Sequence, residues 1–306
     1  MYDVAIIGAG PAGLTAGIYA ARAGLSVLIL EKLYPGGQII STHLLENYPG
    51  FHEGIGGADF SNNLREHALR FGAKLQADPA VSMELEGPVK RIQGSEGSYE
   101  ARSVILALGA VPRKLGLDKE AAYTGAGISY CATCDGAFFR GREVCVVGGG
   151  DTALEDALYL SNLVKKVTIV HRREGFRAQQ YLLDRAKQRE NILFLTSRRP
   201  KAILGDEGFE GLLLENTQTG EEEPLTVDGC FVAVGQLPDT AIVKDVVALD
   251  DYGYILAGED TKTNIPGVFA AGDARNKPLR QVVTAAADGA VAAMAAQSYL
   301  ENQDTF

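Results

Sequence analysis

The sequence predicts an α/β chain made of two Rossmann-like dinucleotide-binding domains, one inserted in the other. Three observations carry this. A strand, glycine-rich turn, helix and second strand occur near the start, the same unit returns in the middle of the chain, and glycine–proline clusters flank the second copy.

In the first copy, Tyr2 to Ile7 reads as an apolar strand running into Gly8-Ala-Gly10-Pro11-Ala12-Gly13. A helix follows over Leu14 to Ala23, Gly24 stops it, and Ser26 to Glu31 forms the next strand. Gly8 permits the tight turn, Gly10 lets the backbone approach a pyrophosphate, and Gly13 lets helix and strand pack closely. The phosphates belong at the helix N-terminus, where unpaired N–H groups and the dipole favour anions. Glu31 is placed to accept a hydrogen bond from a ribose 2′-hydroxyl.

In the second copy, Glu143 to Val147 is the strand, Gly148-Gly149-Gly150-Asp151-Thr152-Ala153 the turn, Leu154 to Leu163 the helix and Lys166 to Val170 the next strand. The spacing repeats as well as the type: Gly8 to Glu31 and Gly148 to His171 are both 23 positions. The copies differ where the second strand ends. Glu31 would repel a 2′-phosphate, whereas His171-Arg172-Arg173 and Arg177 would attract one, so the second site is expected to prefer NADPH to NADH.

Toward the end of the chain, Thr263 to Asp273 reads as a turn, a short apolar strand and a terminal Gly272-Asp273, with Arg280-Gln281 opening a long Ala-rich helix. The aspartate could accept from a ribityl hydroxyl, and the helix N-terminus could face a flavin carbonyl. Further strands are expected at Tyr99 to Leu108, Arg199 to Leu204, Phe209 to Asn216 and Gly229 to Val234. Gly109 to Pro112 and Gly235 to Pro238 mark the crossings between domains. The first domain is then discontinuous, residues 1–113 and 244–306, and the inserted one is 114–243.

Composition narrows the function. In 306 residues, 46% are hydrophobic and 22% charged, the balance of a globular protein and not of a disordered chain or a fibre. A net charge of −10 argues against nucleic acid or an anionic membrane as the main partner. Tyr2 to Ile7 already reads as a strand, with no leader pattern before it, so a cytoplasmic protein is expected. The Ala-rich stretch Val282 to Leu300 carries Asp288 in its middle and reads as a buried helix, not a membrane span.

Cys131-Ala-Thr-Cys134-Asp135 precedes the second copy. A C-x-x-C pair can be half of a zinc site, a disulfide-exchange pair or a coincidence. Zinc needs further ligands, but Cys145 and Cys230 sit singly in apolar strands, and His43, His52, His67 and His171 form no ligand-spaced pair, so no metal is expected. Between two dinucleotide sites the pair reads best as a redox dithiol, with Asp135 placed to shuttle a proton or simply to sit in a first helical turn.

With these motifs together, the chain resembles the low-molecular-weight thioredoxin reductases from its first residues to its last helix. CATCDG at Cys131 to Gly136, GGGDTA followed by LEDALYLSNL, HRREGFRA at His171 to Ala178, GVFAAGDAR at Gly267 to Arg275 and PLRQVVTAAADGAVAA carry the resemblance. It implies a FAD/NAD(P)-binding fold of the pyridine nucleotide-disulfide oxidoreductase type, with FAD in the discontinuous domain and NADPH and the dithiol in the inserted one. It implies FAD contacts from Gly8, Gly10, Pro11, Ala12, Gly13, Glu31, Gly37, Gln38, Asn47, Asp273, Arg280 and Gln281. NADPH contacts are implied from Gly150, Asp151, Thr152, Ala153, His171, Arg172, Arg173 and Arg177, although the family varies at Asp151 and Thr152. The catalytic set is Cys131, Cys134 and Asp135, with Cys134 the sulfur nearer the flavin and the attacking sulfur left open. The expected function is NADPH-dependent reduction of thioredoxin by a homodimer. A dithiol oxidase, a ferredoxin-fed reductase and a nucleotide-sensing scaffold are the alternatives; the arginines and glycine turn weigh against the first two, and the dithiol against the third.

Overall fold

The computed structural model describes residues 1–42 and 44–303, so His43 lies outside the described residues. The chain divides into two compact units, Met1–Val111 with Leu237–Phe306, and Pro112–Gln236. Both are α/β.

In the first unit, the aliphatic runs of β1 (Tyr2–Ile7) and β2 (Val27–Glu31) are buried on both faces, which suits inner strands of a parallel sheet. The order is β3 (Lys74–Ala77), β2, β1, β6 (Ser98–Leu106). Beside the carboxyl half of β6 lies β17 (Val268–Ala270), also parallel. Register places Leu30, Ile7, Leu106 and Ala270 in one row, so the loops after these four strands emerge along one sheet edge. Sequence periodicity did not disclose the antiparallel extension. The amino half of β6 pairs with β5 (Lys90–Gly94), and β5 with β4 (Ala80–Glu84).

The first helix, α1 (Pro11–Arg22), starts three residues earlier than the apolar pattern indicated, because Gly10 is its N-cap and Pro11 fills the first turn, where a missing N–H costs nothing. It packs on α7 (Val282–Gln303), the Ala-rich helix, along a seam of small side chains. At Gly289 the approach is closest: a Cβ there would lie 2.1 Å from the Ala12 carbonyl oxygen. Among the described residues no helix is long and apolar enough to cross a membrane.

The second unit holds a parallel five-stranded sheet, ordered β11 (Ile192–Leu195), β10 (Lys166–Val170), β9 (Glu143–Gly148), β15 (Gly229–Ala233), β8 (Ile128–Ser129). Helices α5 (Asp151–Ser161) and α6 (Gln180–Lys187) bury Leu154, Ala157, Leu158 and Leu182 with Val144, Val146 and Ile169. A separate antiparallel sheet joins β12 (Arg198–Leu204), β13 (Gly211–Asn216) and β14 (Glu222–Thr226). β13 begins at Gly211 and not at Phe209, because Gly211 has φ +139° and passes close to the Leu225 carbonyl, a position closed to side chains. Short helices α3 (Glu120–Tyr123) and α4 (Ala132–Asp135) flank β8, and the two chain crossings, β7 (Ala110–Pro112) and β16 (Gln236–Pro238), pair with each other.

The α1–α7 seam makes a stability prediction. Gly289→Ala forces backbone apart and should cost about 1 to 3 kcal/mol. Gly208→Ala, where an added Cβ meets nothing within 4 Å, serves as the control. Thermal unfolding should show a lowered midpoint for the first variant only; equal midpoints would refute the close-contact account.

Candidate dinucleotide and dithiol sites

Along the carboxyl edge of the first sheet, the β1–α1 turn is shaped by two contacts that exclude side chains. Gly8 has φ +104°, and a Cβ on Gly13 would lie 1.9 Å from the Gly8 carbonyl oxygen. Gly10 is different, because a Cβ there would meet only the Gly37 Cα, at 3.9 Å. The space above it is open, and it lies at the N-terminus of α1.

The other residues expected at this site surround the same edge. Glu31, ending β2, accepts from the Ala9 N–H at 2.7 Å through one oxygen and from the Leu33 N–H at 3.0 Å through the other, so it braces the glycine turn while keeping lone pairs free. Gln38 donates to the Ala110 carbonyl at 2.8 Å, and the Asn47 amide donates to Gln281 at 3.0 Å. Gly272 is so close to Ala12 that its Cβ would fall 2.9 Å from the alanine methyl. Asp273 therefore sits near the start of α1. Its Oδ1 is buried with no hydrogen-bond partner, and burial raises its pKa against the opposing charges of Lys277 and Arg280. A buried acceptor without a donor is costly, and a ligand hydroxyl would relieve it. Arg280 lies over the Tyr254 ring, 3.9 Å from its centre, and reaches the Asp273 carbonyl at 3.4 Å.

Beneath that loop is a buried ionic cluster that sequence reading missed. Asp288 of α7 accepts from the Gly272 N–H at 3.0 Å, from Arg275 at 2.8 Å and from Lys277 at 2.9 Å. Arg275 also donates to the Ala257 and Gly258 carbonyls through Nη1, so four of its five N–H donors are engaged. The several bonds made by Asp288 and by Arg275 are what make burying the cluster tolerable. The available signal was an acid in the middle of an alanine-rich stretch, following an Arg-x-Lys.

In the second unit the glycine turn is built the same way, with Gly150 as N-cap of α5 and nothing within 4 Å of its Cβ position. Ala153 takes the third small position and is fully buried. His171 does not point into open space. Its imidazole is buried, lies where a Gly149 side chain would be, stacks near Phe176 and bonds the Gly175 carbonyl at 3.2 Å. Burial lowers its pKa, and Arg172, Arg177 and Arg173 add to the effect, so the ring is neutral at pH 7. Asp151 holds the following segment, accepting from the Gln179 N–H at 2.7 Å and its amide at 2.8 Å, while Thr152 is exposed. The Arg177 N–H donates to the Gly149 carbonyl at 2.9 Å. Arg172, Arg173 and Arg177 are exposed, and their guanidinium groups have no acidic partner among the described residues.

The dithiol leaves the carboxyl end of β8. Because β8, β15, β9 and β10 are parallel, Cys131–Cys134 emerges at the sheet edge that also carries Gly148–Ala153 and His171. The cysteines form a disulfide with Cα atoms 5.4 Å apart. Cys131 caps α4, its sulfur accepting from the Cys134 N–H at 3.1 Å, and Cys134 is the more exposed residue. Asp135 is half-buried, and its Oδ2 accepts from Ser129 at 2.7 Å. Ser129 is a second residue that sequence reading passed over. Cys145 and Cys230 are buried cross-strand neighbours in register, away from this edge, and the Cys145 thiol with burial pushes the Cys230 thiol up. Among the described residues no group of His, Cys, Asp and Glu could hold a metal ion.

Comparison with known proteins agrees with this layout. The profile of the pyridine nucleotide-disulphide oxidoreductase family matches residues 2–289. A thioredoxin reductase of Mycolicibacterium smegmatis is 48% identical over 305 residues, 99% of this chain and 98% of that one. Among solved structures, the thioredoxin reductase of Lactococcus lactis is 41% identical with a TM-score of 0.96, covering 99% of this chain and 100% of that one. That of T. acidophilum is 35% identical with a TM-score of 0.93, covering 99% of each. A match of family profile, relatives and fold over nearly the full chain, around a C-x-x-C disulfide beside a glycine turn, places this protein in the pyridine nucleotide-disulphide oxidoreductase family, among its thioredoxin reductases.

Proposed function

We propose that the chain is an NADPH-dependent thioredoxin-disulfide reductase that holds FAD in the first unit and NADPH in the second. The observation that carries this is the Cys131–Cys134 disulfide at the same sheet edge as a second glycine turn in a chain that has a complete first one. The residues fit FAD: the open space above Gly10 suits a pyrophosphate, and the unpartnered Oδ1 of Asp273 suits a ribityl hydroxyl. FAD, when bound, carries two electrons from the pyridine nucleotide to the disulfide. Protein residues do the rest. Gly8, Gly10, Pro11, Ala12 and Gly13 bind the pyrophosphate, Glu31 the ribose, and Gly37, Gln38, Asn47, Arg280 and Gln281 line the remainder. Gly150, Asp151, Thr152 and Ala153 form the second phosphate cradle over the neutral His171. Arg172, Arg173 and Arg177, cationic and unpaired in a chain of net charge −10, favour the 2′-phosphate. Cys131 and Cys134 exchange with the thioredoxin disulfide, and Asp135 holds the proton that the sulfurs release or take up. The same reading takes the protein to be a cytoplasmic homodimer with no nucleic-acid or membrane partner.

Three outcomes follow. Gly10→Val points a side chain into open space, so the protein should fold and lose its flavin; full absorbance near 450 nm in the purified variant would overturn the first site. Removing Arg172 and Arg173 deletes charge-assisted bonds of about 1.5 to 3 kcal/mol each. The KM for NADPH should then rise roughly 100-fold or more while that for NADH changes little. Equal loss for both nucleotides would point to damage to the fold. Cys131→Ser or Cys134→Ser should abolish thioredoxin reduction and leave anaerobic bleaching of the flavin by NADPH intact. Disulfide reductase activity surviving in either variant would sink the exchange role.

A further inference from the structure

Ser129 is the last residue of β8, 4% exposed, and faces the loop that carries the dithiol. Its hydroxyl has three neighbours at hydrogen-bond distance. The Cys131 N–H donates to it at 3.0 Å, the Asp135 Oδ2 lies 2.7 Å away and the Cys131 carbonyl oxygen 3.2 Å away. A serine has one proton to give, so it can serve only one of the two acceptors at a time. With Asp135 ionised, the shorter, charge-assisted bond to the carboxylate wins. With Asp135 protonated, the carboxyl can donate to the serine oxygen, and the hydroxyl can turn to the Cys131 carbonyl. Neither state leaves a polar group of this cluster without a partner, as a side chain that cannot adapt would.

We propose that Ser129 is a positioning residue for Asp135, a rotor whose hydroxyl switches between the Asp135 carboxylate and the Cys131 carbonyl and so holds the carboxyl in place whether or not it carries a proton. This rests on the reading of Asp135 as the proton carrier of the dithiol. Reducing the disulfide to two thiols breaks one S–S bond, forms two S–H bonds and takes two electrons and two protons. The two electrons and one of the protons would come as hydride equivalents from the bound cofactors, and Asp135 gives the second proton and regains it from water. Each turnover therefore changes the charge of Asp135, and an adaptable partner matters more here than at a fixed ion pair.

Other groups near Asp135 form the background against which the serine acts. On α5, packed against α4, these are Glu155, Asp156 and Tyr159. On the loop itself they are Cys131, Cys134 and Arg140. Behind β8 stand the Cys230 thiol and the Tyr130–Glu120 pair, in which the tyrosine hydroxyl donates to the carboxylate at 2.6 Å. Among the described residues, Ser129 is the observed side-chain donor to the Asp135 carboxylate.

The test is a carbon-detected NMR titration of the Asp135 side-chain carboxyl in the flavin-loaded protein with its disulfide oxidised, the resonance being identified by its loss in Asp135→Asn. Ser129→Ala removes the donor that favours the carboxylate, and the midpoint should rise by about one pH unit. Ser129→Thr keeps a hydroxyl and should stay at the native midpoint. Ser129→Val has the shape of threonine without the donor and should move with alanine, so the Thr–Val pair decides the matter even if the alanine variant does not fold. In turnover, the pH profile should shift for Ser129→Ala but not when the same change is made in Asp135→Asn. A midpoint unchanged in Val relative to Thr would overturn the proposal. The titration does not depend on thioredoxin, so failure of the proposed function would show in the cysteine variants and not here.

Discussion

Backbone contact between a strand and the start of the next helix is the constraint on which both units depend. At Gly13 and Gly8 the two chains lie so close that a Cβ would fall 1.9 Å from a carbonyl oxygen. At Gly148 a Cβ would fall 2.3 Å from the Ala233 carbonyl and 2.7 Å from the Ala153 methyl. The second turn carries Ala153 in place of Gly13, and the alanine methyl packs against the Cβ-less face of Gly148. In both, the contact aims the first helical N–H groups at the sheet edge and leaves the middle glycine, Gly10 or Gly150, facing open space. A phosphate can be bound by backbone only where no side chain intervenes.

What distinguishes the two sites comes from one position at the end of the second strand. Glu31 turns inward and braces the glycine loop through the Ala9 N–H, putting negative charge beside that loop. His171, at the corresponding spacing, is neutral and lies over Gly149, serving as a wall, while the arginines after it carry the charge. The sequence reading expected nucleotide contact from His171 along with the arginines; His171 is buried over Gly149, whereas Arg172, Arg173 and Arg177 are exposed. The difference between acid and base at matching positions was readable from the chain alone. The burial of the imidazole was not, since it depends on Phe176 and on the fold-back of the Arg177 amide onto Gly149.

Legibility in the sequence followed the range of the interaction. The strand–glycine–helix units and the C-x-x-C pair were legible as local patterns, whereas Gly272-Asp273 was visible only as the end of a strand, its contacts coming from Ala12 and Asp288. The antiparallel extension β4–β5 was not visible, since β5 alternates in burial but its buried positions are Lys90, Ile92 and Gly94, which give no apolar alternation, and β12–β14 was visible only in its first two strands. The Asp288 cluster illustrates the limit. Sequence reading used Asp288 as an objection to a membrane span, which was sound, but could not supply the reason for the acid. The reason is three donors, Gly272, Arg275 and Lys277, brought to it by the turn after β17. A buried charge is retained where it fixes a loop, and here the loop fixed is the one that carries Asp273.

The dithiol shows the same division between address and support. Its address is set by β8, a strand of only two residues held by two register pairs to β15. So short a ladder cannot by itself hold the loop that follows, and side chains supply what the backbone lacks. Glu120 accepts from the Leu115 and Gly116 N–H groups at 2.7 Å and from the Tyr130 hydroxyl, tying the residue before Cys131 to the segment entering the unit. Ser129 ties the residues after it, Cys131 through its N–H and Asp135 through its carboxylate. These two anchors differ in kind. The Glu120 carboxylate accepts several donors at once, which holds its pKa low in spite of burial, so it stays ionised and its geometry does not change near neutral pH. The serine hydroxyl has a single proton and two acceptors, so it can follow a change of charge. A rigid anchor on the side away from the chemistry and an adaptable one beside the carboxyl are what a short strand needs to present a pair of sulfurs that must alternate between bonded and separate.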